Sequence, residues 1–581
     1  MSERNPFNPG NSDNSTQLRT LLAFVLMGLV LFAMPYFFKS TGPQKPLKSA
    51  KTAAPAAPAH STSQPPEEAA SPQVASSPLP GSTAAHTEEE TVIETDLYRV
   101  VFSNRGAVVT SWTLKKYANA TGKPLELVNA AAATKVWYPF SLEFRSQKPS
   151  LNLNQSLYVA TKSDDGLGVT FTFSNNGLSV RKAFEFRRDG YRTQITSEVS
   201  QNGALIPHLL SWRGGFGDFA VQNASTIQHS IRYSVPDSKL INDGYKAAKD
   251  GPVNRDGEFS FAGLEDQYFA AVYLPENVSA VQTTLFDDYV PTPFDKAEQP
   301  FIGSAVGGEG LNRLTLFVGP KDLELLRKVN PKLEQIVDFG MFWFLAKPLF
   351  LVLRFMNLQY IHNYGWSIIL ITIVINLLLF PLRLTNMKSM QKMKALQPKI
   401  QEINERYKNM SLRDPRMQQK NQETMELYKR HGANPMGGCL PLLIQMPFLF
   451  AFYKVLAVSI EMRNAKWLWV TDLSQPEHLA IHILPILMIA TGFLMQRMTP
   501  STGMDPSQQR MMMFMPLVMG FFFYSQSAGL VLYWLTGNLV GIAQQYFFNK
   551  TMTPAEVVPV AKLSATKALA AKTPVKKPVR K

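Results

Sequence analysis

Only one cysteine, Cys439, stands in the 581 residues of this chain. That excludes an intramolecular disulfide framework, so any part outside the cytosol has to fold on its own core. Charge is scarce as well, at 18% Asp, Glu, Lys and Arg, against roughly 25% in soluble proteins. Residues 511–548 carry no charged side chain at all. At ~1.5 Å per residue they make ~57 Å of helix, two crossings of a ~30 Å hydrocarbon core. A purely soluble protein is excluded. The Gly122-Lys123 pair has Tyr117 where a phosphate-binding loop needs glycine and Pro124 where it needs Ser or Thr. No His-Glu-x-x-His or paired-cysteine spacing points to a metal. The apolar segments contain no Asp or Glu, the groups an ion-coupled transporter uses to carry its proton or sodium. These absences argue against an ATPase, a metalloprotease and a secondary transporter, and no cofactor is implied.

Positive charge is present and concentrated. The chain carries +15, of which residues 383–436 hold twelve Lys/Arg against five Asp/Glu, and residues 548–581 eight against one. Lys/Arg-rich segments stay in the cytosol, because moving them outward is opposed by the membrane potential and by anionic lipid. Both segments are therefore expected inside. The same charge suits contact with ribosomal RNA or a ribosome-bound chain, since polycations bind phosphate by releasing counterions. The tail, ending in Lys576, Lys577, Arg580 and Lys581, reads as disordered.

Along the chain, residues 1–20 form a cytosolic N-terminus and residues 21–38 an uncleaved transmembrane signal anchor, since no small-x-small site follows at once. Lysines 39, 45, 48 and 51 oppose that orientation, but long segments translocate largely regardless of charge. Residues 39–90 contain nine prolines and no aromatic residue, a linker that cannot bury enough apolar surface to offset chain entropy. Residues 91–330 alternate with period two, in runs such as Tyr98–Phe102, Val169–Phe173, Ala183–Phe186, Ala280–Leu285 and Leu314–Phe317. Asn104-Arg105-Gly106, Asn175-Asn176-Gly177 and Arg188-Asp189-Gly190 punctuate them. This pattern predicts an antiparallel β-sandwich. Residues 333–361 turn helical and aromatic, as an interfacial amphipathic helix does. Further spans are expected at 363–382, 439–460, 479–496, 511–525 and 528–547, with a cytosolic helical hairpin at 383–436 and the basic tail at 548–581. With the anchor this makes six spans, both ends inside and the β-domain outside, and the basic segments then fall in the cytosol without adjustment.

Polar residues inside the spans are the candidate site. Thr372 and Asn376 share a helix face; Gln445 lies in the next span, and Tyr533, Trp534 and Asn538 in the last. They are either interhelical hydrogen bonds, at ~0.6 kcal/mol each, or the lining of a wet cavity. Lys454 is the one charge inside a core span, at ~2.5–3.5 kcal/mol unless solvated; it either snorkels outward or serves function. In the hairpin, Met387, Met390, Leu396, Ile400, Ile403 and Tyr407 recur at helical spacing. Asp414-Pro415 starts a second helix, and Met417, Met425 and Tyr428 follow. This face is either hairpin core or an adaptable binding surface.

The run Leu396–Lys408, the run Asn434–Pro447, Ile483–Met488, and Gly529–Trp534 with Asn538–Val540 strongly resemble the YidC family of membrane protein insertases, over residues 340–548. The resemblance implies a membrane α-helical bundle of six spans, five forming the insertase core, plus a periplasmic all-β supersandwich domain like galactose mutarotase and a cytosolic helical hairpin. It implies a polar groove open to cytosol and lipid, lined here by Thr372, Asn376, Gln445, Lys454, Tyr533, Trp534 and Asn538. Clients would slide into lipid past Met446, Phe448 and Phe450 on one span and Met513, Phe514 and Phe521 on another. Implied partners are nascent membrane proteins, the Sec translocon with its accessory subunits, and anionic lipid, with the ribosome and targeting factors at the hairpin and tail. The implied location is the inner membrane. One departure stands out: where the family carries a groove arginine, five residues before the Pro381-Leu382 pair, this chain has Asn376. Two other classes remain open from the residues alone: a membrane-anchored glycan-acting enzyme of the periplasm, and a channel or transporter.

Overall fold

The computed structural model describes residues 83–119, 122–221, 224–276, 281–407, 416–433, 440–499 and 506–551. The expected anchor, most of the linker, Asp414-Pro415, Cys439 and the tail beyond residue 551 lie outside these residues. The chain divides into two compact units, one made chiefly of the residues up to Asp338 and one of the helices from Phe339 onward.

In the helical unit, α1 (Trp343–Met356) continues as a π-helical turn to Ile361. Asn363 then caps α2 (Tyr364–Leu378) by accepting from the Trp366 amide. The sequence predicts one span over 363–382, but the helix breaks at Leu379 and restarts as α3 (Phe380–Ala395). Pro381 explains the break, since it has no N–H for the preceding turn and suits the first turn of a new helix. There follow α4 (Gln397–Arg406), α5 (Arg416–Arg430), α6 (Leu440–Val458), α7 (Ile483–Met498), α8 (Pro506–Phe523) and α9 (Ala528–Thr551). No single described helix is long and apolar enough by itself to cross a membrane. The segments Trp343–Ile361 and Tyr364–Leu378 pass together, bent 119° to one another. The helix α9 packs on α2 and α7, and α8 on α7. At α4 and α5, Leu396, Ile400, Tyr428 and Ala433 close around Met393.

In the β unit every strand pairing is antiparallel, in described sheets of ten, five and four strands. The alternating runs of the sequence lie in these strands, apart from Ala280, which is outside the described residues. Residues 168–175 and 178–186 form a hairpin closed by Asn176 and Gly177, with φ of 48° and 74°, the left-handed pair that a two-residue turn needs to follow strand twist. Large rings join the three sheets: Phe102 meets Phe184 at 4.9 Å, Phe140 meets Phe184 at 5.3 Å, and Trp112 meets Trp212 at 6.3 Å.

One inward position of strand Leu178–Phe186 breaks the apolar rule. Lys182 is fully buried between Val180 and Phe184. Its ammonium donates to the carbonyls of Gly106 at 2.8 Å, Ala107 at 3.3 Å and Phe140 at 2.8 Å. Those carbonyls would otherwise be buried without donors, which costs about 1–3 kcal/mol each. Burial lowers the Lys182 pKa to about 7 from 10.5. Between those values the unfolded chain binds a proton that the folded chain does not, so stability rises with pH, by at most ~1.4 kcal/mol per unit. The urea midpoint of this unit, followed by tryptophan fluorescence, is expected to rise from pH 7 to pH 9 and to stay flat in Lys182→Met. Parallel rises in the two proteins would contradict this.

Candidate groove between the helices

The helix α9 is the meeting point of the candidate residues. It begins after a turn at Ser525–Ser527, and its first buried residues run from Ala528 to Tyr533. Tyr533 stacks on Phe452 of α6 at 4.4 Å, and its hydroxyl is hydrogen-bonded to Gln445 of the same helix. One turn further, the Asn538 amide donates to Thr491 Oγ1 at 3.2 Å and to the Met488 carbonyl at 3.3 Å, both on α7. Near its end, Gln544 donates to the Asn376 carbonyl on α2 at 3.2 Å. Three partner helices are thus tied by amide or hydroxyl groups on a single helix.

On α2, Asn376 donates to the Thr372 carbonyl at 2.8 Å, and the Thr372 hydroxyl donates to the Ile368 carbonyl at 2.6 Å. Thr372 is fully buried, whereas Asn376, Gln445 and Asn538 are half-buried. Trp534 lies half-buried against Phe523 of α8. Lys454 is half-buried too, and its aliphatic chain lies 2.9–3.3 Å from where a side chain at Gly340 would begin, beside the segment leading into α1. The structure does not group it with Thr372 and Asn376 by any contact among the described residues.

A cation does meet this group, one that stands first in the basic segment and reads there as part of the hairpin. Arg383, on the first turn of α3, donates from Nη1 to Gln544 Oε1 at 3.1 Å and reaches Met495 Sδ on α7 at 3.9 Å. Gly541 of α9 makes room: a Cβ there would lie 2.6 Å from Arg383 Nη2. No carboxylate pairs with Arg383 among the described residues. The continuous chain is therefore Thr372, Asn376, Gln544 and Arg383. A guanidinium has five N–H donors, so most remain for an incoming acceptor. The sequence signal that could have found it is Gly541 with Gln544, one turn apart on the facing helix.

The slide residues are distributed differently. Met513, Phe514 and Phe521 are 51%, 57% and 79% exposed on α8. On α6, Met446 and Phe448 are half-buried, and Phe450 stacks on Phe342 at 5.9 Å. In the hairpin, Leu396, Ile400 and Ile403 are buried, Met390 is half-buried, and the Tyr407 hydroxyl donates to Glu423 at 3.0 Å.

Comparison with known proteins then identifies the family. Residues 355–556 match the model of the 60Kd inner membrane protein, and residues 90–352 that of the YidC periplasmic domain. The membrane protein insertase YidC of Geotalea daltonii is 34% identical over 558 residues, covering 92% of this chain and 99% of the relative. That of Syntrophus aciditrophicus is 35% identical over 568 residues, with shares of 92% and 99%. Among solved structures, an active YidC insertase with its first transmembrane domain resolved aligns over 80% of this chain and 94% of its own, at 18% identity and a TM-score of 0.35. A galactose mutarotase related enzyme from Lactobacillus acidophilus aligns over 40% and 97%, at 10% identity and a TM-score of 0.29. On its sequence relatives, the chain belongs to the YidC family, membrane protein insertases of the inner membrane with a periplasmic domain, and is not an enzyme.

Proposed function

We propose that the insertase works through the polar side chains gathered along α9, with Arg383 as its fixed positive charge. The carrying observation is the Arg383 guanidinium, held by Gln544 beside Gly541 and without a carboxylate among the described residues. The polar end of a client enters from the cytosol and exchanges water for these amides and the guanidinium. Its apolar segment then passes into lipid along the exposed face of α8, at Met513, Phe514 and Phe521. Burial of the client's apolar surface, ~25 cal/mol per Å², supplies the free energy without a nucleotide. On this reading Asn376 does not leave the site uncharged, because Arg383 lies two helical turns further toward the cytosol. Lys454, beside Gly340, takes no part.

The topology belongs to the same proposal: six spans, both termini in the cytosol, the β unit in the periplasm, and the basic hairpin and tail inside. The hairpin and tail would meet the ribosome, targeting factors and anionic lipid, and the protein would act alone or with the Sec translocon. In a Cys439→Ser background, Met410→Cys and Ala570→Cys should resist an impermeant thiol reagent in intact spheroplasts. Labelling of either position would overturn the topology.

Charge at the site has a separate test. Two unit charges ~6 Å apart at an effective dielectric of ~20 attract by ~2.8 kcal/mol, at most about a hundredfold in occupancy. Arg383→Gln is therefore expected to impair acidic-tailed clients far more than neutral-tailed ones in a protease-protection insertion assay. Asn376→Ala should impair both mildly, and Asn376→Arg should favour acidic tails. If Lys454→Ala abolishes insertion of acidic-tailed clients while Arg383→Gln does not, the assignment of the charge is wrong.

A further inference from the structure

The connection 459–482 between α6 and α7 is held to the starts of three helices. The Asn363 amide of the α2 cap donates to the Lys466 carbonyl at 3.0 Å. Glu477 accepts from the Trp469 indole and from the Leu484 amide at the start of α7. The amides of Ala528 and Gly529, opening α9, donate to the carbonyls of Gln475 at 2.8 Å and Leu473 at 2.9 Å. From this frame projects a tight turn, closed by reciprocal bonds between Trp467 and Val470 at 2.8 and 2.9 Å. Its corner residue Leu468 has a φ of +46°, a left-handed conformation that a leucine rarely adopts. The turn keeps it and presents Leu468 65% exposed beside Trp469 at 38%, with exposed Lys466 immediately before.

The occupant of this tip is indicated by what it continues. Trp467 packs edge-on against Trp366 at 5.7 Å. Trp366 opens a stripe of exposed residues along one face of α2: Trp366, Leu370, Val374 and Leu377, at 49%, 41%, 44% and 58%. In an integral membrane protein such a stripe faces lipid. The face of α7 carries a similar one in Ile483, Ile486, Leu487 and Leu494, at 39–49%. The tip therefore extends the lipid-facing surface past the ends of the helices, and it does so with tryptophans, whose rings favour the headgroup level. Lys466 adds a cation where lipid phosphates lie.

We propose that Lys466–Trp469 is a built anchor for the phospholipid headgroup–acyl boundary, which sets the depth at which α2, α7 and α9 begin. This rests on the membrane topology above, which makes the boundary that of the outer leaflet. The rigid frame matters, because an anchor on a loose loop would leave helix depth unset.

The test uses the full-length protein in Cys439→Ser, with Leu468→Cys carrying an environment-sensitive fluorophore, reconstituted in vesicles of phosphatidylethanolamine and phosphatidylglycerol. The expected result is blue-shifted emission, quenched more strongly by spin labels near the headgroup than by labels deep in the acyl chain. Lys466→Gln should remove any dependence of that quenching on the phosphatidylglycerol fraction. A second protein carries the probe at Leu370→Cys, within the α2 stripe, where deep labels should quench best. If position 370 behaves so while position 468 reports water and no quenching, the anchor is overturned and the topology stands. If neither position is quenched, the membrane reading itself fails. Quenching at 468 that appears only when a client is added would overturn the lipid anchor in favour of a client contact.

Discussion

Polar side chains in an apolar bundle need partners among themselves, and in this protein one helix supplies them. Tyr533, Asn538 and Gln544 are placed along α9 so that each meets a different helix: α6 at Gln445, α7 at Thr491, and α2 at Asn376. Hydrogen bonds between helices in lipid average only ~0.6 kcal/mol, so they do not by themselves account for stability. Their effect is on register, since an amide that slips one turn loses its acceptor and must be buried alone, at about 1–3 kcal/mol. The α9 register in turn decides where Gly541 falls, and Gly541 decides whether the Arg383 guanidinium can enter.

The β unit treats a buried basic side chain differently. Lys182 is saturated by three carbonyls from the loop at 106–107 and from Phe140, so it is a structural tie between strand Leu178–Phe186 and its neighbours. Arg383 has one oxygen acceptor and a sulfur, Gln544 Oε1 and Met495 Sδ. The contrast separates a lysine whose nitrogen is spent on holding a fold from a guanidinium left with donors to offer. The same distinction applies to His208 in the β unit. Its ring bonds Ser197 at 2.7 Å and Ile206 at 3.0 Å within a fully buried cluster, and burial lowers its pKa to about 4. A serine beside a histidine is here part of a buried hydrogen-bonded cluster that ties strands together.

Patterns of short range were legible in the sequence. Period-two alternation marked the strands, Asn176-Gly177 marked a hairpin turn, and Pro381 marked a helix boundary near the end of the span expected at 363–382. The polar residues Thr372, Asn376, Gln445, Tyr533 and Asn538 could be picked out because each interrupts an apolar run. Arg383 could not, since it stands first in a segment of twelve Lys/Arg and looks like one solvated charge among them. Lys182 was hidden for a similar reason: alternation predicts an inward residue there, but the residue type predicts solvent.

By itself the sequence determined the division into a β domain, an apolar helical region and basic segments, because hydropathy, alternation and charge depend on neighbours within a few residues. It also determined the family, through motifs at 396–408, 434–447 and 529–540. Only the tertiary structure decided which polar groups meet, that Lys454 lies by Gly340, and that Arg383 stands between α7 and α9. Those are contacts between residues far apart in the chain, 47 positions for Asn538 and Thr491 and 161 for Arg383 and Gln544. They depend on helix register, which no local pattern records, and on the missing Cβ of Gly541, which the sequence shows without showing what it faces.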